Sequence, residues 1–215
     1  MDNTKTSPMD ITYEGYLIEK KLGEVLDIAA TQLKGLVLKR QFRIGNQRCD
    51  FAFVDKDTEK LRIVYEFDGP SHYQSSHTFE LDRKKDDAVI EAGGVMIRIP
   101  YFVQLSGEAL NYYLPGLALV SNVEFPHGFI SKKAPLPTSF TDKGLHLFCY
   151  QLARMPRVVA EQIWSTLISR GIDENNLVFL PNFVFERIAK EEHGDKYDYS
   201  EIPDVVYFKK EEEVE

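Results

Sequence analysis

The sequence predicts a mixed α/β fold, in which a small β-sheet is flanked by helices. A length of 215 residues suffices for one substantial domain, or for a domain with a smaller appendage. The content of 43% hydrophobic and 28% charged residues is that of a globular protein and excludes a disordered, collagen-like or coiled-coil chain. Along the first half the patterns follow the order helix, three strands, helix, strand, helix, which is typical of a mixed α/β core.

The elements of this first half are bounded by clear turn residues. An amphipathic helix is predicted over residues 11–33, because apolar side chains recur there at helical spacing and Gly35 follows as a stop. The other elements, separated by Gly, Pro or polar turn residues, are strands at 36–44, 47–54, 61–67 and 95–99 and helices at 78–92 and 104–114.

The second half is predicted to be mostly helical. Pro and Gly residues cluster between positions 120 and 140 and indicate a boundary. A helical pattern follows over 141–170, with an interruption at Met155-Pro156. We therefore expect three parts, namely a domain at 1–120, an accessory segment at 121–208, and a charged, disordered tail at 209–215.

The net charge of −8 counts against a nucleic-acid partner only until its distribution is considered. Residues 186–215 contain 11 acidic against 5 basic side chains, so most of the excess negative charge belongs to the end of the chain. No apolar run approaches the ~20 residues of a membrane span. The N-terminus lacks an apolar signal region, and Cys49 and Cys149 match no disulfide framework or zinc spacing. We expect a cytoplasmic protein, or one in an intracellular viral or host compartment.

Acidic residues concentrate on the predicted hairpin of strands 47–54 and 61–67. With its turn centred on Thr58, Asp50 faces Glu66 and Arg48 faces Asp68. Because side chains alternate along a strand, these four share one face of the sheet. The other face is predicted to be core and consists of Cys49, Phe51, Phe53, Leu61, Ile63, Tyr65 and Phe67.

Carboxylates crowded in this way suggest a metal site. Like charges on opposed strand residues repel, with Cβ atoms roughly 5 Å apart, which favours either a raised pKa or a bound cation. Mg²⁺ binds carboxylate oxygens and keeps positions for water and substrate phosphate. The arrangement therefore suits metal-assisted hydrolysis of a phosphodiester.

The same residues resemble a known family. The run EFDGPSH at 66–72, with CDF upstream at 49–51, resembles the PD-(D/E)XK nuclease superfamily, in particular its very-short-patch-repair-type endonuclease branch. The resemblance covers roughly residues 11–103 and implies a restriction-endonuclease-like fold. The flanking pieces of the pattern follow in the same order and are Glu19–Leu22, Arg40-Gln41, Asp82, Gly93 and Arg98-Ile99.

The resemblance also implies roles for individual residues. Asp50 and Glu66 would be the principal ligands of Mg²⁺, for which Mn²⁺ can substitute, and Glu19 would be a further acidic contributor. Asp68 stands where the superfamily motif has a lysine that orients the attacking water or stabilises charge. In the resembling branch an aspartate is usual there, and His72 would take part of the polar role. These five form the predicted catalytic set.

Several cations are candidates for contact with the nucleic acid, which we expect to be DNA. Arg40 and Gln41 on the neighbouring strand would stand near the scissile phosphate, and Arg48 accompanies the acids. Arg83, Lys84 and Lys85 belong to a charge run that usually marks an exposed helix face and could contact phosphates. No membrane partner is expected, and the accessory segment could serve a homodimer, a protein partner or the substrate.

Two other interpretations stay open at the sequence level. A non-catalytic binding or assembly protein could retain the nuclease fold, because the motif lysine is absent and the chain is acidic. An RNA nuclease, for example a viral one, is also compatible, since recognition of the 2′-OH leaves no motif here.

Overall fold

The computed structural model describes residues 7–123, 126–131, 133–173, 178–181 and 205–208. The chain divides into two compact units, one of residues 1–69 with 80–125 and one of residues 70–79 with 126–215. The division expected at residue 120 does not anticipate that residues 70–79 belong with the second unit. The predicted tail at 209–215 lies outside the described residues.

The first unit is built on a four-stranded mixed sheet. Strand β3 (Gln47–Asp55) pairs antiparallel with β2 (Leu36–Ile44) and with β4 (Leu61–Asp68). Strand β4 pairs in parallel with β5 (Val95–Pro100), so the strand order is β2-β3-β4-β5. The elements of this unit are β1 (Met9–Ile11), α1 (Glu19–Gln32), β2 (Leu36–Ile44), β3 (Gln47–Asp55), β4 (Leu61–Asp68), most of α3 (Ser76–Glu91), β5 (Val95–Pro100), α4 (Gly107–Tyr113) and β6 (Leu119–Ser121).

Helices α1 and α3 cover opposite faces of this sheet. On the α1 side, Phe51 and the Arg40 side chain lie so close to Gly23 that a Cβ at this glycine would clash with both. On the α3 side, Val89 packs in a buried cluster with Ala52 and Val64. Both faces of the sheet are therefore core, which fits the near-continuous burial of β3 and β4.

Helix α1 begins at Glu19 and not near residue 11 as predicted. Residues 9–11 instead form β1, which pairs in parallel with β6 more than a hundred residues later. The connection to α1 is held by the buried Gln104, whose Oε1 accepts a hydrogen bond from the Leu17 backbone at 2.8 Å. The predicted strands and the helix at residues 78–92 are confirmed within a few residues.

The hairpin register predicted from the sequence is confirmed between Phe51 and Phe53, where Ala52 pairs with Val64. The ladder of β3 with β4 does not reach the acids, because its paired residues begin at Phe51. Arg48 pairs with Arg43 on β2, and the β3–β4 ladder that would place it opposite Asp68 does not extend this far, so that pairing stays a prediction.

The predicted division of faces is wrong in part. Cys49 and Leu61, expected opposite the acids, both pack in the Val89 cluster on the α3 side. Two irregularities change the alternation. In the β2–β3 ladder, Gln41 has a left-handed backbone (φ 50°) and is left unpaired between the Arg40–Phe51 and Phe42–Cys49 pairs. In the β3–β4 ladder, the register shifts after Phe53.

The second unit is mainly helical. It contains α2 (Ser71–Gln74), the start of α3, a short 3₁₀ turn (Pro137–Ser139), α5 (Asp142–Leu152) and α6 (Arg157–Asp173), with an antiparallel pair of β7 (Val178–Pro181) and β8 (Val205–Phe208). The predicted interruption at Met155-Pro156 is confirmed. In the described part of the chain, no helix combines the length and apolar character that crossing a bilayer requires.

Helix α5 approaches α2 closely through a glycine. A Cβ at Gly144 would lie 1.9 Å from the Tyr73 carbonyl oxygen, so any side chain here would separate the two helices. The Tyr73 carbonyl accepts a hydrogen bond from the Thr141 backbone at 3.0 Å, and its ring stacks on Phe140. The α/β class with a mixed sheet and flanking helices is thus confirmed, while the restriction-endonuclease-like assignment stays a prediction.

Candidate functional site

Asp50 and Glu66 are joined by reciprocal hydrogen bonds where the β3–β4 ladder ends. The Asp50 backbone N–H donates to Glu66 Oε1 at 2.8 Å, and the Phe67 backbone N–H donates to Asp50 Oδ2 at 3.1 Å. These side-chain contacts join β3 and β4 where their backbone ladder has ended. The second Asp50 oxygen, Oδ1, accepts no hydrogen bond from the residues that the structure describes.

Glu66 is buried and forms an ion pair with Lys85. The Lys85 Nζ lies 2.5 Å from Glu66 Oε2, and the two side chains are 17% and 3% exposed. Lys85 reaches the carboxylate from α3, one helical turn before Val89 on the same side of the helix. The residue predicted as a surface phosphate contact therefore projects into the acidic site.

Glu19 joins the same site from the first turn of α1. Its Oε1 accepts a hydrogen bond from Gln41 Nε2 at 3.1 Å, at the residue whose backbone is left-handed. A glutamine in this region costs on the order of 1 kcal/mol, and such outliers concentrate at functional sites. The irregularity places a polar side chain beside Glu19.

The pKa shifts show that the three acids interact. Burial raises the pKa of Glu66, and the nearby Asp50 carboxylate raises it further, while Lys85 opposes the shift. Partial burial and the Asp50 carboxylate likewise raise the pKa of Glu19, against Arg48, Gln41 and Arg40. Asp50 is thus the common neighbour of both glutamates, and the predicted ligand set Glu19, Asp50 and Glu66 is brought together.

Asp68 is fully buried and belongs to a separate ion-pair network. Its Oδ1 lies 2.7 Å from Arg98 Nη1, and the same guanidinium binds Asp86 at 2.7 Å and Asp82 at 3.3 Å. Burial disfavours the charged form of Arg98, but these carboxylates outweigh it and raise its pKa. The network ties β4, β5 and α3 together beside the acidic site.

The other predicted site residues have different surroundings. The Arg40 guanidinium donates to Asp27 at 2.6 Å and to the Gly23 carbonyl at 3.0 Å, so it is bound along α1. Arg83 and Lys84 are exposed on α3. His72 is half-buried on α2 in the second unit, and its catalytic role stays a prediction.

The acids of this site offer a metal ion only a small set of protein ligands. Among the described residues, no group of three or more His, Cys, Asp or Glu side chains is arranged as metal ligands. Mg²⁺ however is usually held by one or two carboxylates, with water and substrate oxygens in its other positions. The adjacent carboxylates of Asp50 and Glu66, with Oδ1 of Asp50 available, fit that smaller requirement.

The charge run on α3 contributes side chains to the ion pairs with the sheet, which the sequence analysis did not predict. Asp82, Lys85, Asp86 and Val89 recur at spacings of three and four, which places them on one side of a helix. Asp82 and Val89 are the buried residues of α3. This periodicity was the available signal, and it was masked by the high charge, which usually marks a solvated face.

Comparison with known proteins gives no family assignment. No protein-family model matches the chain, and no curated protein and no solved structure gives a significant match.

Proposed function

We propose that this protein is a metal-dependent endonuclease that hydrolyses DNA phosphodiester bonds. The observation that carries the proposal is the convergence of Glu19, Asp50 and Glu66 from α1, β3 and β4, with the Lys85 ammonium 2.5 Å from Glu66. Buried and partly buried carboxylates with raised pKa values beside a lysine are more typical of a catalytic site than of a solvated strand surface. The PD-(D/E)XK resemblance points to the same chemistry.

Asp50 and Glu66 are the residues that would hold Mg²⁺, or Mn²⁺ in its place. A divalent ion at this position lowers the pKa of a coordinated water and stabilises negative charge on a phosphoryl group. The backbone N–H of Asp50 and of Phe67 orient the two carboxylates, so the pair is already positioned before an ion binds. Glu19 adds negative charge from the rim, and Gln41 fixes its orientation.

Lys85 supplies the positive charge that the motif lacks at Asp68. In the family pattern a lysine two residues after the glutamate supplies this charge. Here that residue is Asp68, which is bound to Arg98. The Lys85 ammonium neutralises Glu66 in the free protein. With an ion held by Asp50 and Glu66, the Lys85 ammonium would be positioned to bind an anionic phosphate oxygen.

One alternative has an observation in its favour. The Glu66–Lys85 pair is electrically neutral, and the described residues lack a group of three metal ligands. Both features are compatible with a protein that retains the fold as a binding or assembly module without catalysis. Cleavage is the property that separates the two functions.

The test is cleavage of supercoiled plasmid and of single-stranded DNA and RNA with Mg²⁺ or Mn²⁺. The wild type is compared with Glu66→Gln, which removes the charge at nearly constant shape. The matched control is Glu24→Gln, an exposed carboxylate on the same helix as Glu19. We expect metal-dependent nicking of DNA by the wild type and the control, and a loss of about 10²-fold or more in Glu66→Gln.

Three outcomes would contradict the proposal. Cleavage that survives in Glu66→Gln would place the activity elsewhere. Cleavage confined to RNA would favour the RNA nuclease. A folded wild type that cleaves none of the substrates would favour the non-catalytic module.

A further inference from the structure

Two arginines lie directly opposite each other beside the turn at Gly45-Asn46. Arg43 on β2 and Arg48 on β3 form a register pair, and both are exposed. Opposed residues of this kind point to the same face, with Cβ atoms about 5 Å apart, and like charges at this distance destabilise the sheet. Within the described chain neither guanidinium is ion-paired with a carboxylate. The pair is therefore suited to an anion from another molecule.

The position of the pair relates it to the acidic site. Phe42, Ile44 and Cys49 pack against the Val89 cluster on the α3 side of the sheet. Arg43 and Arg48 alternate with these residues and so point to the opposite side, where α1 begins. Arg48 precedes Asp50 by two residues on β3, roughly 7 Å along the strand, which places it beside the rim of the site.

We propose that Arg43 and Arg48 together bind one backbone phosphate of the DNA, next to the phosphodiester that is hydrolysed. This inference rests on the proposed function and adds a positioning element to it. Guanidinium groups match phosphate oxygens in bidentate geometry, and two of them on one strand pair can hold a single phosphate from both sides. Such a contact fixes the position of the nucleic acid without reading its sequence.

The charge balance supports a phosphate in this place. The acids Glu19, Asp50 and Glu66 repel a nucleic-acid backbone, so local positive charge is needed for it to approach them. The neighbouring Arg40 is already bound to Asp27 and to a backbone carbonyl. Arg43 and Arg48, in contrast, have no such partner in the described chain.

The experiment measures binding separately from cleavage. A short fluorescein-labelled DNA duplex is titrated with the full chain in EDTA at several KCl concentrations, and binding is followed by fluorescence anisotropy. Arg43→Gln and Arg48→Gln are compared with Lys60→Gln, an equal charge change in the exposed β3–β4 turn. We expect each arginine variant to raise Kd about tenfold and to reduce the salt slope by about one, while the control binds like the wild type.

Thermal unfolding provides the second measurement. Because each variant removes a repulsion, Arg43→Gln and Arg48→Gln should unfold at or above the wild-type temperature. A lower unfolding temperature would assign the pair a structural role and overturn the inference. A wild-type Kd and salt slope in both variants would also overturn the phosphate-binding inference. In that case, loss of cleavage in Glu66→Gln would still support the nuclease. Absence of wild-type DNA binding would contradict both.

Discussion

At the scale of single residues, Glu66 combines burial, a raised pKa and an ion pair. Its carboxylate is buried, its pKa is raised, and its two oxygens are bound by a backbone N–H and by an ammonium group. An ion pair removed from water gains little net stability, because the cost of desolvation offsets the attraction. The free energy of folding is therefore a weak reason for this pair, and a cation-binding site that stays neutral when empty is a better one.

Removal of Lys85 should expose the cost of burying Glu66. We expect Lys85→Met to lower the free energy of unfolding by about 3 kcal/mol, because a buried carboxylate loses its counter-charge. Lys84→Met, at an exposed neighbouring position, should change it by less than about 0.5 kcal/mol. Urea denaturation at neutral pH measures both.

The double variant provides the control for this prediction. Glu66→Gln combined with Lys85→Met removes both charges, so much of the lost stability should return. Equal stability of Lys85→Met and Lys84→Met would show that the Glu66–Lys85 contact does not persist in solution.

At the scale of elements, the turn between β3 and β4 is set by one carboxylate. Asp55 Oδ1 accepts hydrogen bonds from the Thr58 backbone and hydroxyl at 2.9 and 2.8 Å, and Oδ2 accepts one from Arg62 at 2.9 Å. The Arg62 guanidinium and the two Thr58 donors lower the pKa of Asp55 below its ordinary value. This local geometry positions β4, and with it Glu66, against β3.

A pH dependence of stability follows from this lowered pKa. The Asp55 carboxylate binds a proton less tightly in the folded state than in the unfolded state. Its contribution to the free energy of unfolding is therefore complete above the ordinary pKa of 3.8, and it is lost as pH falls through the lower pKa of the folded state. We expect Asp55→Asn to unfold at a lower temperature than wild type at neutral pH, with a difference that shrinks below about pH 3.8. Calorimetric scans across this range measure it, and a difference independent of pH would contradict the account.

At the scale of the whole molecule, local patterns predicted the sheet better than they predicted its irregularities. The Ala52–Val64 register follows from the centre of a short polar turn and needed no further information. The left-handed backbone at Gln41 could not be predicted, because glutamine has no preference for that region. The same limit applies to β1, whose partner β6 lies more than a hundred residues away.

The candidate site was predictable to the extent that it depends on strands. Asp50 and Glu66 follow from the hairpin and from the motif, and their hydrogen bonds agree with that expectation. The pairing of Lys85 on α3 with Glu66, and of Arg98 on β5 with Asp68, was not predicted, because the partners come from separate elements. The periodicity of the α3 run indicates which of its residues share one side of the helix, but not which carboxylate each of them meets.

Asp50 and Glu66 are proposed to hold a divalent metal ion. The most direct measurement is a titration of the full chain with Mn²⁺, in which electron paramagnetic resonance reports the free ion. The account predicts binding by the wild type and by Glu24→Gln, and loss of at least one bound ion in Asp50→Asn and in Glu66→Gln. Absence of binding by the folded wild type, or equal binding by all four proteins, would contradict it.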